Sequence, residues 1–189
     1  MESSQSLKPD HKSEFTSQPT IRRAIGYFGA FFVLGMVISS LGPTLPYLAE
    51  GVGTDLTDAG ILISVRSMGY MLGALTLGRV YDRLPGNRVL LGVFSIFALT
   101  LIFIPLSPYL VLMGALLFVS GICLSGVDVG SNAMTIWMYG ARSGPYINGL
   151  FLFAGMGGLV IPLIVGWLVQ GGYQIYWAYW IMAILMLPV

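Results

Sequence analysis

YLVLMGALLFVSGICLSGVDVGSNAMTIWMY, from Tyr109 to Tyr139, is an apolar run interrupted by a single charge, Asp128. Runs of about 20 apolar residues cross a bilayer as helices. A charge inside one costs roughly 2.5–3.5 kcal/mol on insertion scales. A second run, Ala59 to Val80, holds Arg66 in its interior, while the remaining charges beyond Ala24 fall in short gaps between apolar runs. Two intramembrane charges of opposite sign are costly enough that a use for them is expected, and function is sought there first.

The whole chain agrees with a membrane protein. Its 189 residues are 56% hydrophobic and 9% charged, with a mean hydropathy of +0.83, whereas soluble domains are about 25% charged. The net charge of +1 and the lack of a basic cluster exclude a nucleic-acid surface. One cysteine, Cys123, cannot form an internal disulfide or a cysteine-rich metal site, and its apolar setting reads as core packing. The lone histidine, His11, lies in the Ser-, Gln-, Lys- and Pro-rich segment Met1–Thr20, so a histidine-dependent hydrolase or zinc enzyme has no ligand or base to use. That segment is expected to be a disordered cytoplasmic tail, with residues 1–23 preceding a bundle over 24–189. No enzyme activity, metal or cofactor is expected.

Six spans are read: Ala24–Pro46, Ala59–Val80, Val89–Pro105, Tyr109–Tyr139, Ile147–Val169, and Ile175 to the chain end. Lys8, Lys12, Arg22 and Arg23 precede the first, Arg79, Arg83 and Arg88 lie between the second and third, and Arg142 lies between the fourth and fifth. The alternate gaps carry Glu50, Asp55 and Asp58 or no charge. By the positive-inside rule the N-terminus is cytoplasmic. Tyr173, Tyr176, Trp177, Tyr179 and Trp180 are then expected at the outer interface, where such rings prefer to lie. Glycines at Gly69 and Gly73, at Gly126 and Gly130, and at Gly155, Gly157 and Gly158 are expected to let helix backbones approach closely.

Between the second and third spans runs Gly78-Arg-Val-Tyr-Asp82-Arg83-Leu-Pro85-Gly86-Asn-Arg88. The glycine reads as the helix end, and Asp82 can accept from a neighbouring helix N-terminus or pair with Arg83 or Arg88, bracing the cytoplasmic ends in one state. This loop resembles the cytoplasmic signature of the major facilitator superfamily, departing from it where Pro85 occupies the usual second-glycine position. With Leu41-Gly42-Pro43-Thr44-Leu45-Pro46, Arg66-Ser67-Met68-Gly69-Tyr70 and Asp128-Val129-Gly130-Ser131-Asn132, the chain resembles the branch holding sodium-dependent glucose transporters and, more distantly, fucose–proton symporters. The resemblance implies an all-α fold of twelve helices in two halves. This chain would be the N-terminal six-helix half, built from two three-helix inverted repeats. It also implies a carboxylate at the position of Asp128. The fucose symporters have a second acid near the middle of the first span, where this chain has Ser39-Ser40-Leu41-Gly42. A two-carboxylate proton mechanism therefore does not transfer, and coupling to Na+, to H+, or to no ion stays open.

In the fourth span Ser125, Asp128, Asn132 and Thr135 are spaced by three, four and three, so they share a helix face that ends at Tyr139. Such a stripe belongs against a water-filled cavity or a partner helix. Counting at 1.5 Å per residue puts Arg66 and Asp128 at similar depth. They could form a structural ion pair fixing helix register. Alternatively, Asp128 binds a cation, proton or solute, and Arg66 tunes and releases it.

The expected function is secondary transport of a small polar solute, sugar-like, by alternating access around a midplane site in the plasma membrane. The chain end Met186-Leu-Pro-Val189 lacks a basic stop or polar tail, and a fragment of a longer carrier that needs a second six-helix half is expected. The alternative is a non-transporting six-helix scaffold or partner subunit.

Overall fold

In the computed structural model, residues 21–186 are described, with side chains from Ile25 onward. The expected tail over Met1–Thr20 lies outside the described residues. Helix α1 runs Ile21–Val52, followed by a single turn, α2, at Leu56–Ala59 and by α3 at Ile61–Arg83. Next come α4 at Gly86–Phe103 with a 3-10 extension through Leu106, α5 at Leu110–Tyr139, α6 at Ser143–Gln170, and α7 at Tyr176–Met186. No strand occurs among the described residues.

The first five expected spans are helical, and the sixth is helical over Tyr176–Met186, a stretch shorter than a full crossing. Ile25–Val52, Leu56–Arg83 and Gly86–Leu106 are each long and apolar enough to cross a membrane, as is the 61-residue stretch Leu110–Gln170. The last would be about 90 Å long if straight, three times a bilayer core. It is instead two spans, broken by the 3-10 turn Gly140–Arg142, where Gly140 takes a φ of +52° that favours glycine.

Two boundaries differ from the sequence reading. Gly78 does not end its helix: α3 continues to Arg83 and stops at Leu84, whose extended backbone (φ −120°, ψ 155°) is what a residue before proline adopts. Likewise α1 passes through Pro43 and Pro46 to Val52. Proline removes the donor for the carbonyl four residues back, here those of Ser39 and Gly42, and hydroxyls bond other carbonyls of the same stretch. Thr44 donates to the Ser40 carbonyl at 2.8 Å, and Ser40 to that of Val37 at 2.9 Å.

The two most extensive helix contacts are α3 with α5 and α1 with α6. In both, backbone meets backbone. A Cβ added at Gly69 would strike the Phe118 carbonyl, and one at Gly121 the Arg66 carbonyl. On the other side of the bundle, a Cβ at Gly157 would strike the Phe32 carbonyl, and one at Gly35 the Ala154 carbonyl. These contacts correspond. Phe32 and Gly35 in α1 precede Phe118 and Gly121 in α5 by 86 positions, and Arg66 and Gly69 in α3 precede Ala154 and Gly157 in α6 by 88. The two halves of the bundle thus repeat one packing arrangement, as duplicated three-helix units do. Both pairs join one unit to the other, and the α4–α5, α4–α7 and α1–α5 contacts add to that seam.

A cluster of apolar side chains fills the centre, with Phe31, Met36, Phe97, Leu117, Ile161 and Met182 fully enclosed. Of the expected interfacial aromatics, Tyr176, Trp177 and Trp180 cluster together. Tyr179 does not join them. It is fully buried, and its hydroxyl lies 2.9 Å from Thr44 Oγ1, because Thr44 gives an inward-facing phenol the polar partner it needs.

Candidate functional site

Asp128 sits inside α5, eleven residues before its Tyr139 end, and is half-buried. Two neighbours hold its carboxylate. The Tyr70 hydroxyl of α3 donates to Oδ2 at 2.6 Å. Asn132, one turn on in α5, donates from Nδ2 to Oδ1 and to the Asp128 carbonyl, both at 2.9 Å. The first distance falls in the range of hydroxyl-to-carboxylate bonds, which are about twice as strong as neutral ones.

Arg66 is not part of this cluster. Its Nη1 donates to the Val37 carbonyl at 3.1 Å and its Nη2 to the Ile38 carbonyl at 2.9 Å, both in α1. No Arg66–Asp128 ion pair forms among the described residues, and the depth count explains why it was expected. Helices α3 and α5 run parallel, with Gly121 packed against the Arg66 backbone. Asp128 lies seven residues further along, about 10 Å deeper. Helix side chains also lean toward their own N-terminus, which carries the guanidinium away from Asp128 and toward α1. Tyr70, one turn after Arg66, is the residue that reaches the acid. Sequence reasoning gave it no role; the signal available was its i+4 spacing from Arg66 on one face of α3.

The other residues of the expected stripe separate. Ser125 is fully buried at the α3–α5 contact, where a Cβ on Gly73 would come within 3.0 Å of its own, and its hydroxyl has no partner among the described residues. Thr135 is also buried, donates to the Ser131 carbonyl at 2.7 Å, and lines a narrow crevice with Phe28, Tyr139, Tyr146 and Leu150. Tyr139 and Tyr146 stack there with ring centroids 3.6 Å apart. Ser39 lies half-buried on the α1–α6 contact beside Gly158. The face therefore offers Asp128 and Asn132 to a ligand, with Ser125 and Thr135 absorbed into packing.

At the α3–α4 turn, Asp82, Arg83 and Arg88 are exposed, and Gly78 is half-buried with open space around it. In this structure Asp82 makes no hydrogen bond or ion pair among the described residues, so the expected bracing is not formed in this state. Only Leu84 and Pro85 separate α3 from α4, which leaves the acid in the last turn of a helix, pointing outward.

A carboxylate and a guanidinium, each half-exposed within spans and each bonded only to neutral groups, cannot face lipid without a large penalty. They can face water, a solute or another protein surface. No group of histidine, cysteine and acidic side chains able to hold a metal occurs among the described residues.

Comparison with known proteins fits this geometry. The pattern of the family described as Major Facilitator Superfamily matches residues 27–189. Sodium-dependent glucose transporter 1 of Rattus norvegicus is 26% identical over 156 residues, covering 79% of this chain and 32% of the relative. The Xenopus laevis protein of that name is 29% identical over 130 residues, 68% of this chain and 26% of the relative. Major facilitator superfamily domain-containing protein 4A of Homo sapiens is 28% identical over 149 residues, 78% of this chain and 28% of the relative. The chain spans between about a quarter and a third of the length of these curated relatives. No solved structure matches.

Proposed function

Because the chain belongs to the major facilitator superfamily, we propose that it forms the first six-helix half of a secondary transporter that moves a small, sugar-like solute by alternating access. The observation that carries this reading is Asp128. It is a half-buried carboxylate inside a span, oriented by Tyr70 and Asn132 and left without a cationic partner among the described residues. An acid so placed needs a hydrophilic passage beside it. The names of the glucose-transporting relatives support the solute class and make Na+ the first coupling ion to test, with H+ the second. A second six-helix half supplies the opposite wall of the passage and shields Asp128 and Arg66 from lipid. The basic residues Arg79, Arg83, Arg88 and Arg142 favour a cytoplasmic N-terminus, and the plasma membrane suits uptake of an external solute.

Uptake of labelled D-glucose, with and without sodium, by vesicles containing the full-length carrier tests the proposal. Asp128→Asn removes the charge while keeping size and is expected to abolish uptake with membrane expression intact. Wild-type uptake by that variant would take Asp128 out of the mechanism, whereas no uptake by the unsubstituted carrier would leave a six-helix scaffold as the better reading.

A further inference from the structure

We propose that Tyr70 is a positioning residue that turns the Asp128 cluster into an acceptor-only site, selecting solutes that bind through hydrogen-bond donors and rejecting anions. This rests on the transport reading above. Tyr70 brings one hydroxyl hydrogen, which goes to Asp128 Oδ2. The Asn132 amide donates to Asp128 Oδ1 and to its main-chain carbonyl. The donors that face the acid are therefore spent within the cluster. What remains for a ligand is unused lone-pair capacity on both carboxylate oxygens, with the Asn132 carbonyl oxygen as a further acceptor.

Arg66, the cation in the neighbouring turn of α3, would supply the missing donors if it turned toward Asp128. It is instead committed to the Val37 and Ile38 carbonyls. The placement of Tyr70 is rigid. Gly69 before it and Gly73 after it both abut the α5 backbone, so the phenol is presented to Asp128 from a helix that cannot draw back. A hydroxyl-rich neutral solute satisfies such a face by donating to it. A carboxylate or phosphate solute would meet lone pairs and a negative charge.

Two measurements on the full-length carrier test this. In the first, deoxyfluoro analogues of D-glucose, which keep an acceptor but lack the donor hydrogen, compete with labelled glucose. Substitution at the hydroxyl that meets Asp128 is expected to weaken inhibition about tenfold, as much as the plain deoxy analogue does, and glucuronate is expected not to compete. Full competition by glucuronate, or fluoro analogues equal to glucose at every position, would overturn the inference. In the second, Tyr70→Phe keeps the ring and removes the hydroxyl. KM is expected to rise about tenfold with maximal rate within twofold. An unchanged KM beside an inactive Asp128→Asn would refute the role of Tyr70 and leave the transport reading standing. An active Asp128→Asn would take the acid out of the solute site and overturn the inference, whereas no uptake by the unsubstituted carrier would remove the transport reading itself. If Tyr70→Phe fails to reach the membrane, the residue is structural and the role given to it falls, with the analogue series still deciding the acceptor-only character.

Discussion

Arg66 and Asp128 are expected to be energetically near-independent, although sequence alone suggests a pair. The perturbation is a double-mutant cycle joining Arg66→Gln with Asp128→Asn, run beside a second cycle joining Tyr70→Phe with Asp128→Asn. If the two charges were in contact at 4 Å, an effective dielectric near 20 would couple them by about 4 kcal/mol. Their roughly 10 Å offset along the parallel helices lowers this to about 1.7 kcal/mol, an upper bound because the guanidinium leans toward Val37 and Ile38. A hydrogen bond to a charged group contributes about 1.5–3 kcal/mol, so the Tyr70 cycle should return the larger coupling. Unfolding free energies from detergent titration of the reconstituted chain, followed by tryptophan fluorescence, give the four corners of each cycle. Coupling near 4 kcal/mol between Arg66 and Asp128, or none between Tyr70 and Asp128, would refute the partner assignment.

The close helix contacts and the buried phenol give two more expectations. Gly121→Ala and Gly35→Ala each push a Cβ into a partner's backbone carbonyl, and each should destabilise by about 1–3 kcal/mol. Gly155→Ala, which meets open space, should not lower the unfolding midpoint; equal effects at all three positions would refute the repeated packing. Tyr179→Phe removes the hydroxyl that meets Thr44 and is expected to cost about 1 kcal/mol, measured as a lower midpoint in the same titration; Thr44→Val should add little more once the phenol is gone.

The bundle was largely legible because lipid imposes a simple rule: backbone groups must be satisfied within each segment, so long apolar runs become helices. Five of the runs did so in full and the sixth over Tyr176–Met186, and the small residues at Gly69, Gly73 and Gly157 lie where helices touch. The site was legible in part. The adjacency of Asp128 and Asn132 on one helix face was readable from their spacing. The partner of Asp128 was not, because it depends on whether neighbouring helices run parallel and on how they are offset, and neither is written in hydropathy. Parallel packing of α3 against α5 moved Arg66 out of reach and brought Tyr70 in. Ser125 and Thr135 share the predicted face, yet neighbouring helices cover them, since a face about 80° wide spans both the open side and the packed edge. Gly78 misled for a related reason: glycine in a membrane helix marks close approach or thin cover as readily as a helix end.

The duplicated glycine contacts also decide where this bundle can deform. Where backbone abuts backbone there is little side chain to change rotamer, so α1 with α6 and α3 with α5 are expected to move as two stiff planks. Bending then falls to the sparser contacts between the planks, where α5 meets α1 and α6. Asp128 and Tyr70 ride on the same plank, and their bond stays made while the shape around them changes.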